Sequence, residues 1–294
     1  MSSIFSGPAR ALVVGGTSGI GAAIASNLAR SLPSTSKLTV AGRNKSSVDD
    51  LISQYPDTDF QPINAFLMKD VKRFCAEYAS HVRSSSSDLK EVDILVLTQG
   101  ILTLQGRTPT APENIDQKMA LHYYSRMLIV RELEPILSPK ALVLSVLDGK
   151  TSNIHDSGVK WSDLDLAQPG SYGVPAAARH CQAMNDGMLQ AFAERHGSEG
   201  RTFVHAYPGF VSTPLLTKNM PLYAKLPMKL IGAVMSVPPE TCAERLLQGS
   251  ADVHAKGRGN FNIDDKGREV QKTPATKEQM DKLWEHTWGL VDRQ

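Results

Sequence analysis

The residues that first suggest chemistry are glycines. Gly15-Gly16-Thr17-Ser18-Gly19-Ile20-Gly21 directly follows the apolar run Arg10–Val14, and Ile20, Ala23, Ile24 and Leu28 then recur at helical spacing. A tight glycine turn between a buried strand and a helix lets backbone N–H groups approach a pyrophosphate, and the helix N-terminus favours the anion. Ser145 ends another apolar run, Ala141–Ser145, which places a hydroxyl at a strand end. His122 lies in a helical stretch and offers an imidazole. Tyr172 offers a phenol just before a further helix. The glycine turn suggests a bound nucleotide.

Such groups need elements to hold them. Apolar strands are expected at 10–14, 38–41, 60–63, 92–97, 141–147 and 201–206. Between them helical patterns run over 20–32, 48–54, 68–83, 114–136 and 175–196. This alternation predicts an α/β fold, a doubly wound parallel sheet with helices on both faces. No repeat or composition break divides the chain, so 1–294 is read as a single Rossmann-type domain. Its substrate loops are expected at 101–113, 148–170 and 208–237.

Composition narrows the class. The chain has 294 residues, 41% hydrophobic and 21% charged, enough for a sizeable core. With 32 Lys+Arg against 30 Asp+Glu the net charge is +2, which gives no bulk electrostatic case for nucleic acid or an anionic membrane. Three scattered cysteines make neither a disulfide framework nor a paired-thiolate metal site, so no metal is expected. No run approaches the ~20 apolar residues of a membrane span. Residues 1–10 lack a signal-peptide core, and the C-terminus carries no prenylation or peroxisomal signal. A soluble cytoplasmic protein is the expectation.

The glycines at 15, 19 and 21 have the Gly-x-x-x-Gly-x-Gly spacing that resembles the short-chain dehydrogenase/reductase family. Ala41-Gly42-Arg43-Asn44 is similar to that family's second-strand end, and Leu97-Thr98-Gln99-Gly100 stands in the place of its Asn-Asn-Ala-Gly. Pro208-Gly209-Phe210-Val211-Ser212-Thr213 is similar to its Pro-Gly-x-x-x-Thr. The resemblance implies a nicotinamide cofactor held by the turn (Gly15, Thr17, Ser18, Gly19, Ile20, Gly21), by Gly100, and by Pro208, Gly209, Val211 and Thr213. Asn64 falls where the family often has an Asp facing adenine. The second strand ends without the carboxylate that binds a ribose 2′-hydroxyl, and Arg43, flanked by Asn44 and Lys45, offers positive charge to a 2′-phosphate. NADP is therefore expected.

The resemblance also implies an Asn, Ser, Tyr and Lys at the reaction centre, and here the chain departs from it. Ser145 matches the Ser and His122 takes the place of the Asn, but no Tyr-x-x-x-Lys occurs anywhere. Tyr172 leads only to Ala176. A second register, in step with Asp165-Leu166, Ser171-Tyr172 and Asn185, puts Ala178 and Gln182 in those places. Proton delivery must then be atypical, with Tyr172, His180, His122, Tyr123, Tyr124, Arg131, Asp165 and His155 as candidates, or the substrate must need no acid, as an iminium would not. Ser145, His122 and Tyr172 are the expected catalytic residues. Similar atypical members act in fungal secondary metabolism.

Three readings stay open. One is an NADP(H)-dependent oxidoreductase acting on a small lipophilic molecule. A second retains the nucleotide for isomerisation, cyclisation or dehydration, and a third is a catalytically silent NADP(H)-binding protein. Leu215, Leu216, Met220, Leu222 and Met228 suggest an apolar substrate wall. Met119, Leu121, Met127, Leu128 and Val130 carry more apolar surface than one helix face needs, so a homodimer or homotetramer is expected.

Overall fold

In the computed structural model, residues 7–195, 200–212 and 236–294 are described. Seven strands form one parallel sheet: β1 (Arg10–Val14), β2 (Lys37–Gly42), β3 (Thr58–Pro62), β4 (Val92–Leu97), β5 (Leu137–Val146), β6 (Thr202–Ala206) and β7 (Gly259–Ile263). Their order is β3-β2-β1-β4-β5-β6-β7. The central strands are almost wholly apolar because a parallel sheet is covered on both faces.

The helices are α1 (Gly19–Ser31), α2 (Asp49–Gln54), α3 (Met68–Ser84), α4, α5 (Val174–Arg195), α6 (Pro239–His254) and α7 (Lys277–Val291). The label α4 covers three consecutive pieces: Gln117–Met119, a π-helical turn at Ala120–Tyr124, and Ser125–Leu133. One core layer joins Ile24, Leu28, Val40, Val204 and Leu246, beneath α1 and α6. The other joins Val71, Phe74, Leu128, Met188 and Leu283, beneath α3, α4, α5 and α7. The chain reverses its direction across the sheet between β1 and β4, and a crevice at such a switch point is where this class of sheet binds ligands.

Several expectations shift. The helix expected from 114 begins at Gln117, because Asp116 accepts from the Lys118 and Met119 backbone N–H groups and caps it. Asn114 instead sits at φ 57°, outside the helix. The 148–170 stretch is irregular yet firmly packed, with Ile154, Val159, Leu164 and Leu166 buried in the core. No reading of the sequence anticipated β7, α6 or α7.

The last of these bears on assembly. The Tyr123 hydroxyl lies 2.6 Å from the Thr287 hydroxyl, and the Tyr124 hydroxyl 2.8 Å from His286 Nε2. Arg131 donates to Asp292 over 2.7 Å and lies 4.2 Å from the Trp288 ring centroid. Met119, Leu121, Met127, Leu128 and Val130 are all buried within the chain. The apolar excess that suggested a two-fold partner is thus met inside the chain, where α7 packs on α5 and is tied to α4. The outward side of α7 shows Lys277, Glu278, Lys282 and Glu285 to solvent.

Among the described residues no helix is long and apolar enough to cross a membrane, and no cluster of three His, Cys, Asp or Glu is placed to hold a metal. The three cysteines are free and buried.

Candidate active site

A cavity of ≈ 260 Å³ opens where β1 and β4 end, lined by Gly15, Thr17–Gly21, Gly42, Arg43, Phe66, Thr98–Gly100, Leu121, His122, Arg126, Val146, Leu147 and Pro208 among others. The glycine turn is built by close packing. Gly15 has φ +85°, and a Cβ there would stand 2.6 Å from the Gln99 backbone nitrogen. A Cβ on Gly21 would meet the Gly15 carbonyl oxygen. Only glycine allows these approaches. Ser18 caps α1 without a side-chain hydrogen bond, so the first N–H groups of the helix are left for a ligand.

Arg43 projects past the end of β2, its guanidinium 5.5 Å from the Phe66 ring centroid. Among the described residues no aspartate or glutamate lines the cavity. The other expected cofactor residues divide. Gly100 and Pro208 line the cavity with the turn, whereas Asn44, Asn64, Gly209 and Val211 do not. Asn44 is occupied with Ser46 and Ser47, and Asn64 accepts from the Phe66 backbone. Thr213 lies outside the described residues, as do Leu215, Leu216, Met220, Leu222 and Met228.

The reaction-centre candidates are all engaged with protein. Ser145 is fully buried; its hydroxyl donates to Asn185 Oδ1 at 3.0 Å and accepts from Arg126 Nη1 at 2.9 Å. His122 Nε2 accepts from the Ile101 N–H at 3.0 Å, which requires the proton on Nδ1 and a neutral ring. Burial, with Arg126 and Lys118 nearby, pushes its pKa down to about 3. The Tyr172 hydroxyl donates to Asp116 Oδ1 at 2.9 Å, away from the residues that line the cavity. Burial and that carboxylate hold the phenol well above its ordinary pKa.

Of the remaining candidates, Asp165 is half-buried and does not line the cavity, and the other five hold structure together. His180 Nε2 accepts from the Lys160 N–H and Nδ1 faces the Leu164 carbonyl, so this imidazole pins the 148–170 stretch. Tyr123, Tyr124 and Arg131 anchor α7, and His155 Nε2 meets the Pro274 carbonyl.

The register of α5 needs correction. Ala178 is exposed and Gln182 only half-buried. The residue that reaches Ser145 is Asn185, whose carboxamide nitrogen also donates to the carbonyls of His122 at 2.8 Å and Cys181 at 2.7 Å. Cys181, one turn earlier on the same buried face, is a thiol whose pKa burial pushes up to about 12. The α5 residue bonded to Ser145 is therefore Asn185, with Cys181 one turn before it. The helical signal was present in the buried series 177, 181, 184, 188, which leaves 178 and 182 pointing elsewhere.

Sequence reasoning missed Arg126. It is 1% exposed, and its guanidinium bonds the carbonyls of Leu121 (3.2 Å), Gln99 (2.7 Å) and Val146 (2.8 Å) as well as Ser145. Burial lowers its pKa to about 9, which leaves it charged at neutral pH.

A family model described as short chain dehydrogenase matches residues 9–146. An oxidoreductase of Emericella nidulans is 32% identical over 72% of this chain and 61% of its own length. The first relatives are thus matched over about three fifths of their length. A short-chain dehydrogenase/reductase of Stachybotrys chartarum is 30% identical over 77% of this chain and 67% of its own. Among solved structures, NADPH-bound carbonyl reductase from chicken fatty liver superposes with a TM-score of 0.62, at 16% identity, covering 90% of this chain and 100% of that one. The chain belongs to the short-chain dehydrogenase/reductase family.

Proposed function

We propose that the protein is an NADP(H)-dependent oxidoreductase that acts on a small lipophilic organic molecule, in the manner of fungal secondary metabolism, without a Tyr–Lys couple. The observation that carries this reading is the cavity at the switch point: a glycine turn packed to backbone distance, free helix N–H groups, Arg43 just past the end of β2, and no carboxylate among the described lining residues. The residues present fit the dinucleotide. Gly15–Gly21 would hold its pyrophosphate, Arg43 its 2′-phosphate, and Gly100, His122 and Pro208 would border its nicotinamide. When bound, the cofactor supplies or accepts a hydride. NADPH in the chicken carbonyl reductase and the fungal origin of the sequence relatives support the reading.

Ser145 and His122 act here as positioning groups, since each side chain is already bonded within the protein. Leu104 and Phe210 are the large exposed hydrophobics among the described residues, one in the 101–113 stretch and one shortly after β6, as suits a lipophilic substrate.

The test is calorimetric titration with NADPH and NADH. NADPH binds at least ten-fold more tightly, and Arg43→Ala removes that preference while leaving NADH affinity unchanged. Equal affinities in the wild type overturn the cofactor assignment. A second reading, a nucleotide kept without redox turnover, is favoured by one observation: the Ser145 and Tyr172 hydroxyl protons are both committed inside the protein. Product formation on the native substrate with no NADPH consumed would select it.

A further inference from the structure

Arg126 is a buried cation with no counter-ion among the described residues. Among the described residues no carboxylate lies within ion-pair distance of it, and its partners are three backbone carbonyls and the Ser145 hydroxyl. Residues 213–235 contain Lys218, Lys225 and Lys229 but no Asp or Glu, so that stretch cannot supply one. A guanidinium has five N–H donors; these bonds use four, leaving one on Nη2. Beside it in the cavity, the 7% exposed Gln99 has a side-chain oxygen, Oε1, with no hydrogen-bond partner. The neutral His122 ring adds no charge. Burying an uncompensated charge is costly, and such a cost is met where a ligand completes the site.

We propose that Arg126 is the electrophile of this site: its free Nη2–H takes the oxygen of a neutral or anionic carbonyl substrate, and its charge disfavours cationic ligands, an iminium or an oxidised nicotinamide alike. This rests on the dinucleotide reading above. Reduction of such a carbonyl adds hydride at carbon and moves the C=O π pair onto oxygen, where the alkoxide is held by Arg126 and then protonated by water. The substrate gains two electrons, and the reduced dinucleotide loses them. Preorganised N–H donors of this kind act where negative charge develops. The same positive charge sets the preference between dinucleotide forms, because they differ by one positive charge on the ring and share every phosphate.

The experiment compares NADPH and NADP+ affinities by calorimetry in wild type, Arg126→Met and Arg126→Lys. NADPH binds wild type at least ten-fold more tightly than NADP+. The ratio falls at least five-fold in Arg126→Met and is largely restored in Arg126→Lys. A bridge serving only to hold Leu121, Gln99 and Val146 together would leave the ratio unchanged, and an unchanged ratio in Arg126→Met overturns the proposal. Should that variant not fold, wild type saturated with NADPH, whose ring is neutral, is titrated with benzoate and with benzylammonium, probes of similar shape and opposite charge. Benzoate binds at least ten-fold more tightly; equal or reversed affinities overturn the proposal. Failure of wild type to bind either dinucleotide overturns the cofactor reading itself, an outcome distinct from an unchanged ratio.

Discussion

Ser145 gives its hydroxyl proton to Asn185 across 3.0 Å, and the Asn185 carboxamide nitrogen in turn holds the carbonyls of His122 and Cys181. One side chain thus joins the end of β5, the π turn of α4 and the body of α5. The π turn at Ala120–Tyr124 breaks the regular helical ladder at His122, whose carbonyl is bonded by Asn185. Asn185→Ala should cost about 1–3 kcal/mol, since it removes the acceptor of the buried Ser145 hydroxyl proton and a donor to the His122 carbonyl. Denaturant unfolding reads this directly, and an unchanged midpoint would show that water replaces the carboxamide.

Ser145→Ala removes the acceptor of an Arg126 N–H and the donor to Asn185. The expected loss of stability is about 1–3 kcal/mol. NADPH affinity should be retained, because Ser145 does not line the cavity. Unfolding curves and a dinucleotide titration on one preparation check both halves.

Stability should fall with acid through His122. Its unfolded pKa is near 6.5 and its folded value about 3, so between these values the unfolded chain binds the extra proton. The contribution is fully present above pH 6.5 and is lost as pH falls toward 3. At about 1.4 kcal/mol per pKa unit it amounts to several kcal/mol. His122→Gln keeps an acceptor for the Ile101 N–H and should flatten the stability profile between pH 6.5 and pH 4. Urea midpoints across that range measure it, and an unaltered slope would place the charge change elsewhere.

Tyr172→Phe should change turnover only a few-fold, because the phenol is bonded to Asp116 and stands apart from the cavity lining. A general acid would show a loss of ~10²-fold or more. Single-turnover oxidation of NADPH separates these outcomes. A large loss with unchanged cofactor affinity would place Tyr172 in the reaction.

Light scattering at micromolar concentration should give a mass near 32.0 kDa, that of one chain. The apolar side of α4 is already buried, and the outer side of α7 is charged, a composition depleted from interface cores. A mass of two or four chains would show pairing through another surface.

Some of this was settled along the chain itself. Strand and helix periods, the glycine turn and Arg43 without an acid before it are local features, each confined to a few consecutive residues, and they carried the fold class and the dinucleotide expectation. The tail was less legible: β7 is Gly-Asn-Phe-Asn-Ile, a half-exposed strand at the sheet edge whose alternating polar residues lack the unbroken apolar run of the centre. Only the tertiary structure decided the chemistry of the site. Arg126 looks like a solvent-facing cation in the sequence because its acceptors, the carbonyls of Gln99 and Val146, lie 27 and 20 residues away. Likewise the choice of Cys181 and Asn185 over Ala178 and Gln182 depends on how α5 is rotated against β5 and α4. A helix period names a face, but packing alone says what that face meets.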